Sequence, residues 1–538
     1  MVNFVLAAAI VLIGAAVAQP ALSVATPALD ARTNSSCSLL QRWNCVAPTV
    51  STKIGSAKGA LEDGAARFPV KYAKADRWKA SSVAEKWELP NGSADVTAMP
   101  LPCPQPGVDA YSEDCLSMVL YVPATSILSP SLPVLVWIHG GSFYTGSASA
   151  PGLDGAKLAQ ATNSVVAVIQ YRLGAFGFMA PDGTTNLALK DVITALTFLK
   201  SHASSFGGDV SKITVSGQSS GANMIRALLA TPSASGLYQS AILHSDPMNY
   251  GFLSPSTQET LLDYFASEVS CYDSSCFNKP SVKNILDAQT ALLADAYSLD
   301  ASTGAGEPIR PVHDGKLITT TLTSSTSFPS QSKPILLFTV QNEATETIYS
   351  QFDSPVTASI FNSALNASLG TARSSTLIAS PYYTASNGET DARPRLEKFG
   401  TDFTWRCPTW TFAREWASSG GTAWVGLFTL GEVYPTTTLE ECSTNGVVCH
   451  QADIEIVFGT VNNPSDAQEA LIIEVQSRYK AFLHDGTPNA GGQRNWEEVR
   501  GDDVNVLNFG GDAEVEIGAC DVSFWGEDVA YDYQLFKL

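Results

Sequence analysis

The residues best suited to chemistry lie in Gly217-Gln218-Ser219-Ser220-Gly221, a G-x-S-x-G pentapeptide. Before it, Ile213 to Val215 read as the end of a buried strand. After it, Ser220 to Ala230 read as a helix with apolar Met224, Ile225, Leu228 and Leu229. A sharp strand-to-helix turn would hold the Ser219 hydroxyl clear of the sheet edge. The helix N-terminus would then face negative charge developing on a substrate oxygen. This is the arrangement of a serine nucleophile in acyl transfer. It needs three companions: a general base, a carboxylate to orient the base, and donors for the oxyanion.

A source of donors is His139-Gly140-Gly141-Ser142-Phe143, at the end of the apolar run Leu132 to Ile138 and about eighty residues before the serine. Glycines there let backbone N–H groups turn toward a tetrahedral oxyanion without obstruction by Cβ. For the base there are six histidines: His139, His202, His244, His313, His450 and His484. His313, His450 and His484 lie well beyond the nucleophile, whereas His244 follows it too closely to leave room for an acid between. His313 sits in a Pro-Val-His-Asp-Gly turn and His484 in what reads as a polar loop. The acid should follow a strand. Glu343 is the first carboxylate after the apolar run Pro334 to Val340, with Glu346 and Asp314 as rivals.

The elements that must carry these residues alternate. Continuous apolar, β-branched runs occur at 132–138, 164–171, 213–215, 240–243, 334–340 and 423–428, as expected for strands covered on both faces. Between them lie helical patterns such as Leu187 to His202, with Leu189, Val192, Ile193, Leu196 and Leu199 on one side. The alternation predicts an α/β fold, a mostly parallel central sheet with helices on both faces. The Ser/Thr-rich stretch Ile318 to Ser332 reads as a surface connection.

Met1 to Ala18 is an apolar segment ending Ala16-Val17-Ala18, read as a secretory signal cut before Gln19. Residues 19–50 read as an irregular extension and 51–538 as one catalytic body. A secreted, extracellular protein agrees with ten cysteines, whose spacing suggests Cys37–Cys45, Cys103–Cys115, Cys271–Cys276 and Cys442–Cys449, leaving Cys407 with Cys520. Sequons at Asn34, Asn91 and Asn366 suit a glycoprotein. No cysteine cluster with zinc-ligand spacing brings histidines, so no metal site is expected. The net charge of −20 argues against nucleic acid and anionic membranes as partners. Nothing after the leader is long enough to span a bilayer, and nothing fixes the oligomeric state.

Taken together, Ser112-Glu-Asp-Cys-Leu116, His139-Gly-Gly-Ser-Phe143, Tyr171-Arg-Leu-Gly-Ala-Phe-Gly-Phe178, Asn186-Leu-Ala-Leu-Lys-Asp191, Phe206-Gly-Gly-Asp209 and the serine pentapeptide resemble the type-B carboxylesterases. This is the branch of the α/β-hydrolases that also holds cholinesterases and fungal lipases, and the resemblance covers roughly residues 50 to 535. It implies oxyanion donors at the N–H groups of Gly141, Ser142 and Ser220, and a structural ion pair between Arg172 and Asp191. It implies His450 as base, because Val448-Cys-His-Gln-Ala-Asp-Ile-Glu-Ile-Val-Phe-Gly459 looks like the family's histidine loop, and Glu343 as acid. Two departures stand beside the nucleophile, Gln218 for the usual Glu and Ser220 for the usual Ala.

The reaction so implied is hydrolysis of small-molecule carboxylic esters without a cofactor. Only eleven residues separate Cys103 from Cys115, too few for the long lid of the lipase relatives. Short or medium acyl chains are therefore expected, with a long-chain lipase as the alternative. A catalytically silent adhesion homologue, the other alternative, would typically have lost the serine or the histidine.

Overall fold

The computed structural model describes residues 48–525, except 125–130, 305, 324–325, 327 and 331. The leader, Asn34 and the Cys37–Cys45 pair lie outside the described residues.

Ten strands form the central sheet. In chain order they are β1 (Ala60–Glu62), β2 (Ala65–Lys71), β3 (Ser117–Pro123), β4 (Leu132–Ile138), β5 (Val165–Ile169), β6 (Gly208–Gln218), β7 (Ser240–His244), β8 (Ile335–Val340), β9 (Ala423–Phe428) and β10 (Leu507–Phe509). In space the order is β10-β9-β8-β7-β6-β4-β5-β3-β2-β1. The pairs from β10 through to β5 are parallel, and β5–β3, β3–β2 and β2–β1 are antiparallel. The sheet is thus mostly parallel, as the alternating sequence pattern requires. A separate hairpin pairs Thr49–Thr52 with Gly55–Lys58, so regular structure starts two residues inside the stretch read as irregular.

Each central strand is apolar throughout because both of its faces are covered. β4 sends Val134, Val136 and Ile138 into one core and Leu135 and Trp137 into the other. Helix α1 (Leu187–His202) and helix α2 (Ser220–Leu229) pack on the first face. The second face is closed by helix α4 (Asp466–Asp485), through Leu471, Val475, Tyr479, Phe482 and Leu483. Between α2 and α4 in the chain, helix α3 (Cys407–Ser418) carries Trp410 and Trp416 into the first core. No described helix is long and apolar enough to cross a membrane.

Among the described residues, four disulfides join Cys103–Cys115, Cys271–Cys276, Cys407–Cys520 and Cys442–Cys449. Two readings of local structure need correction. His484 is not in a loop but in the last turn of α4, which runs on until Gly486 adopts φ 76 and caps it. The described residues of the stretch 318–332 form no helix or strand, and not all of them lie on the surface. Ile318, Leu322 and Phe328 are buried, and Phe328 packs on Phe412 and Trp416 of α3. Its Ser/Thr-rich composition hid three apolar anchors.

Candidate active site

Sheet register decides where the nucleophile turn emerges. In the β4–β6 pairing Ile138 sits beside Gly217, so the chain leaves both strands at one level. Two stretches about eighty residues apart therefore meet at the C-terminal edge of the parallel strands, the usual place for a site in an open α/β sheet. Ser219 has φ 56 and ψ −128, a strained conformation for a residue with a side chain. It is held because its N–H donates to His244 O at 2.9 Å and its carbonyl accepts from Asn223 N at 3.0 Å. Gly221 is required by space rather than by φ. A Cβ there would lie 2.1 Å from the carbonyl oxygen of Ile138.

The candidate base and acid, His450 and Glu343, arrive from the other half of the chain. His450 Nδ1 lies 2.6 Å from Glu343 Oε2, and the second carboxylate oxygen accepts from Val340 N at 2.9 Å. The two loops are themselves joined. Asn342 N donates to Val448 O at 2.9 Å, and Val448 N donates to the Asn342 side chain at 3.1 Å. The Cys442–Cys449 bridge ends one residue before His450. Burial works against a charged imidazole at His450, but the hydrogen bond and charge of Glu343 outweigh it and raise its pKa. On the other side of the ring, His450 Nε2 lies 3.1 Å from Gln218 Nε2. An amide N–H that donates to Nε2 requires that nitrogen to be bare. With Nδ1–H given to Glu343, this is the tautomer a general base needs. Trp405, on a wide π-helical turn at Asp402–Arg406, packs 5.5 Å from the imidazole.

The remaining histidines and carboxylates have other partners. His139 is buried, stacked 4.8 Å from Tyr171, and burial pushes its pKa down to about 4. His484 Nε2 meets Thr162 O at 3.0 Å. His244 is buried between Asp453 and Tyr479. His313 is held by its backbone, its N–H donating to Leu253 O at 2.9 Å. His202 is buried, and burial lowers its pKa. Asp314 accepts from the backbone of Lys316, Leu317 and Ile318 and so closes a turn. Glu346 accepts from Thr437 Oγ1 at 2.6 Å, one helical turn beyond the acid.

Gly141, Ser142 and Phe143 take φ of 113°, 51° and 67°. A run of such left-handed residues curls successive backbone N–H groups toward a shared concavity, which suits an anion. The loop is braced from three directions. Tyr171 OH donates to His139 O at 3.0 Å, and Gly174 N donates to Phe143 O at 2.7 Å. Gln105 clasps Gly146 twice, accepting from its N–H and donating to its carbonyl, each at 2.9 Å. Behind the braces, Arg172 and Asp191 form a buried two-pronged ion pair at 2.7 Å. Sequence reasoning missed Gln105, Trp405 and the role of His244. Only Gln105 left a trace, as a polar residue inside the first disulfide loop.

Asp402, Cys407 and Cys520 come within 4.8 Å of one another. The two sulfurs are joined as a disulfide and offer no thiolate to a metal.

The Carboxylesterase family profile matches residues 47–525. Para-nitrobenzyl esterase of Bacillus subtilis (strain 168) is 40% identical over 215 residues, 36% of this chain and 43% of that esterase. The cAMP-regulated D2 protein of Dictyostelium discoideum is 29% identical over 478 residues, 83% of this chain and 86% of that protein. Among solved structures, a thermophilic PNB esterase superposes with a TM-score of 0.70 at 26% identity, covering 86% of this chain and 96% of that one. With a match that runs through nearly all of the described residues, and with the same parallel-sheet architecture, the chain belongs to the carboxylesterase family of α/β-hydrolases.

Proposed function

We propose that this carboxylic ester hydrolase works through an acyl-enzyme on Ser219. The observation that carries the reading is the 2.6 Å contact between His450 Nδ1 and Glu343, with Nε2 facing the residue next to Ser219. Ser219 Oγ attacks the ester carbonyl while its proton passes to His450 Nε2. Glu343 stabilises the imidazolium so formed. The oxyanion rests on the N–H groups of Gly141, Ser142 and Ser220, each worth about 3 kcal/mol in the transition state. His450 then protonates the departing alcohol. Water repeats the sequence to release the acid and restore the serine.

Short or medium esters are the favoured substrates. The Cys103–Cys115 loop supports this: its Gln105 clasps the oxyanion loop, so lifting it as a lipase lid would break two hydrogen bonds beside the site. The leader-like Met1 to Ala18 and the sequons favour a secreted glycoprotein. Asn91 and Asn366 are both exposed. A serine-directed phosphonate tests the mechanism. One equivalent should abolish p-nitrophenyl ester hydrolysis and be recovered on the Ser219 peptide. Label on another residue, or hydrolysis that survives full labelling, would rule it out.

A further inference from the structure

A second carboxyl, outside the triad, bonds to the oxyanion loop. Glu307 is 5% exposed, and its Oε2 has no hydrogen-bond partner among the described residues. The Ser142 side chain, in the oxyanion loop, bonds to this carboxyl, whose charge also bears on His450. Tyr144 and Tyr171, which belong to or brace that loop, feel the same charge. The carboxyl is held in place by its backbone. Buried Arg310 donates to the carbonyls of Gly251, Thr303 and Glu307, each at 2.6 Å, and so clamps the loop that carries it. Val312 at the end of that loop is tied to Asn186 by two further bonds. The Oε2 acceptor is therefore fixed and desolvated, with no hydrogen bond of its own although Arg310 and Ser142 act on the same carboxyl, and it lies within reach of the groups that hold the reacting carbonyl.

An unpaired buried acceptor favours a substrate that brings a donor and disfavours one that leaves it bare. We propose that Glu307 is a specificity-determining residue that selects esters with a hydrogen-bond donor, such as a hydroxyl, within a few bonds of the scissile carbonyl. The proposal rests on the ester-hydrolase reading above and names the substrate class for it. Burial pushes the Glu307 carboxyl up to about 7, with Arg310, His450 and Ser142 drawing it down and Asp246 pushing it up. An acid of that strength accepts from a substrate hydroxyl when ionised and donates to its oxygen when neutral, so the pairing survives across neutral pH. The sequence pattern offered no hint of it. Gln218 stands where the family usually has Glu, while this carboxyl reaches the site through Ser142.

The test uses two matched ester pairs. In one the acyl group differs, p-nitrophenyl 3-hydroxybutyrate against butyrate. In the other the alcohol differs, 2-hydroxyethyl butyrate against propyl butyrate. The ratio of kcat/KM, hydroxylated over plain, is measured for the wild type, Glu307→Leu and the isosteric Glu307→Gln. In at least one pair the ratio should fall on the order of ten-fold in Glu307→Leu and about three-fold in Glu307→Gln. The responding pair identifies which side of the ester meets Glu307. If Glu307→Leu fails to fold, the ratio in Glu307→Gln carries the test alone. Equal losses on all four esters with the ratios kept would assign Glu307 a structural role and overturn the proposal. A wild type that hydrolyses none of the four would overturn the ester-hydrolase reading along with it.

Discussion

Two imidazoles among the described residues each have a carboxylate oxygen 2.6 Å from Nδ1, and only one is placed to act as a base. His450 pairs with Glu343, and its Nε2 points across to the nucleophile turn. His244 pairs with Asp453, and its Nε2 is taken by the Tyr479 hydroxyl. The His450 side chain keeps 15% of its surface exposed, whereas His244 keeps none and lies stacked 4.5 Å from Phe338. The pairs are neighbours, since Asp453 follows His450 by three residues and the His244 carbonyl holds the Ser219 N–H. A histidine–carboxylate contact is thus not in itself a catalytic device. What makes one is an Nε2 that faces the nucleophile turn rather than a buried hydroxyl deeper in the core.

Six substitutions would break or sharpen that contrast. Ser219→Ala should lower ester turnover by roughly a million-fold, as removal of a triad nucleophile does. Near-native turnover in the purified variant would take this serine out of the mechanism. Next, Glu343→Gln should cost on the order of ten-thousand-fold in kcat, while Glu346→Gln and Asp314→Asn cost less than about ten-fold. If Glu346→Gln were the crippling change, the acid would sit one helical turn further along.

The inner pair should answer in stability instead. Asp453→Leu leaves a buried His244 nitrogen unpaired and should cost about 1–3 kcal/mol in urea unfolding. Its kcat should stay within about ten-fold of the wild type, a loss far smaller than that of Glu343→Gln. A larger loss of turnover without a loss of stability would place His244 in the chemistry. The smallest effect concerns Gln218. A carboxylate there would favour the imidazolium of His450, so the bare base would form only at higher pH. The acid limb of kcat/KM in Gln218→Glu should therefore move up by about one pH unit. An unmoved limb would mean that residue 218 does not face Nε2 in solution.

The legible parts of this protein were those in which chemistry constrains neighbouring residues. The turn at Ser219 needs a strand, a small residue at Gly221 and a helix in immediate succession, so a short sequence window contains all of it. The strands could be read because burial on both faces leaves no polar position in Leu132–Ile138 or Ala423–Phe428. His450 and Glu343 were found by resemblance and order, not by any local demand. The inner pair could not be found at all. His244 and Tyr479 are 235 residues apart, and nothing near either one signals the other. Glu307 was hidden for the same reason, because its meaning comes from Ser142 on a distant loop. The stretch 318–332 misled through composition, since its buried apolar residues, among them Phe328 against Phe412 and Trp416 of α3, lie among many small polar ones.

The main-chain clasp between Asn342 and the residues before His450 has a consequence for the covalent chain. Glu343 and His450 are 107 positions apart, and the stretch between them includes the exposed run Thr384 to Gly388. A protease cut in that run would place Glu343 on one fragment and His450 on the other. Parallel pairing of β8 with β9, the backbone bonds of Asn342 and the hydrogen bond of the dyad itself would all still cross the cut. The Glu343–His450 pair is in this sense an interface between two halves of the molecule, joined by strand pairing and hydrogen bonds as well as by the chain.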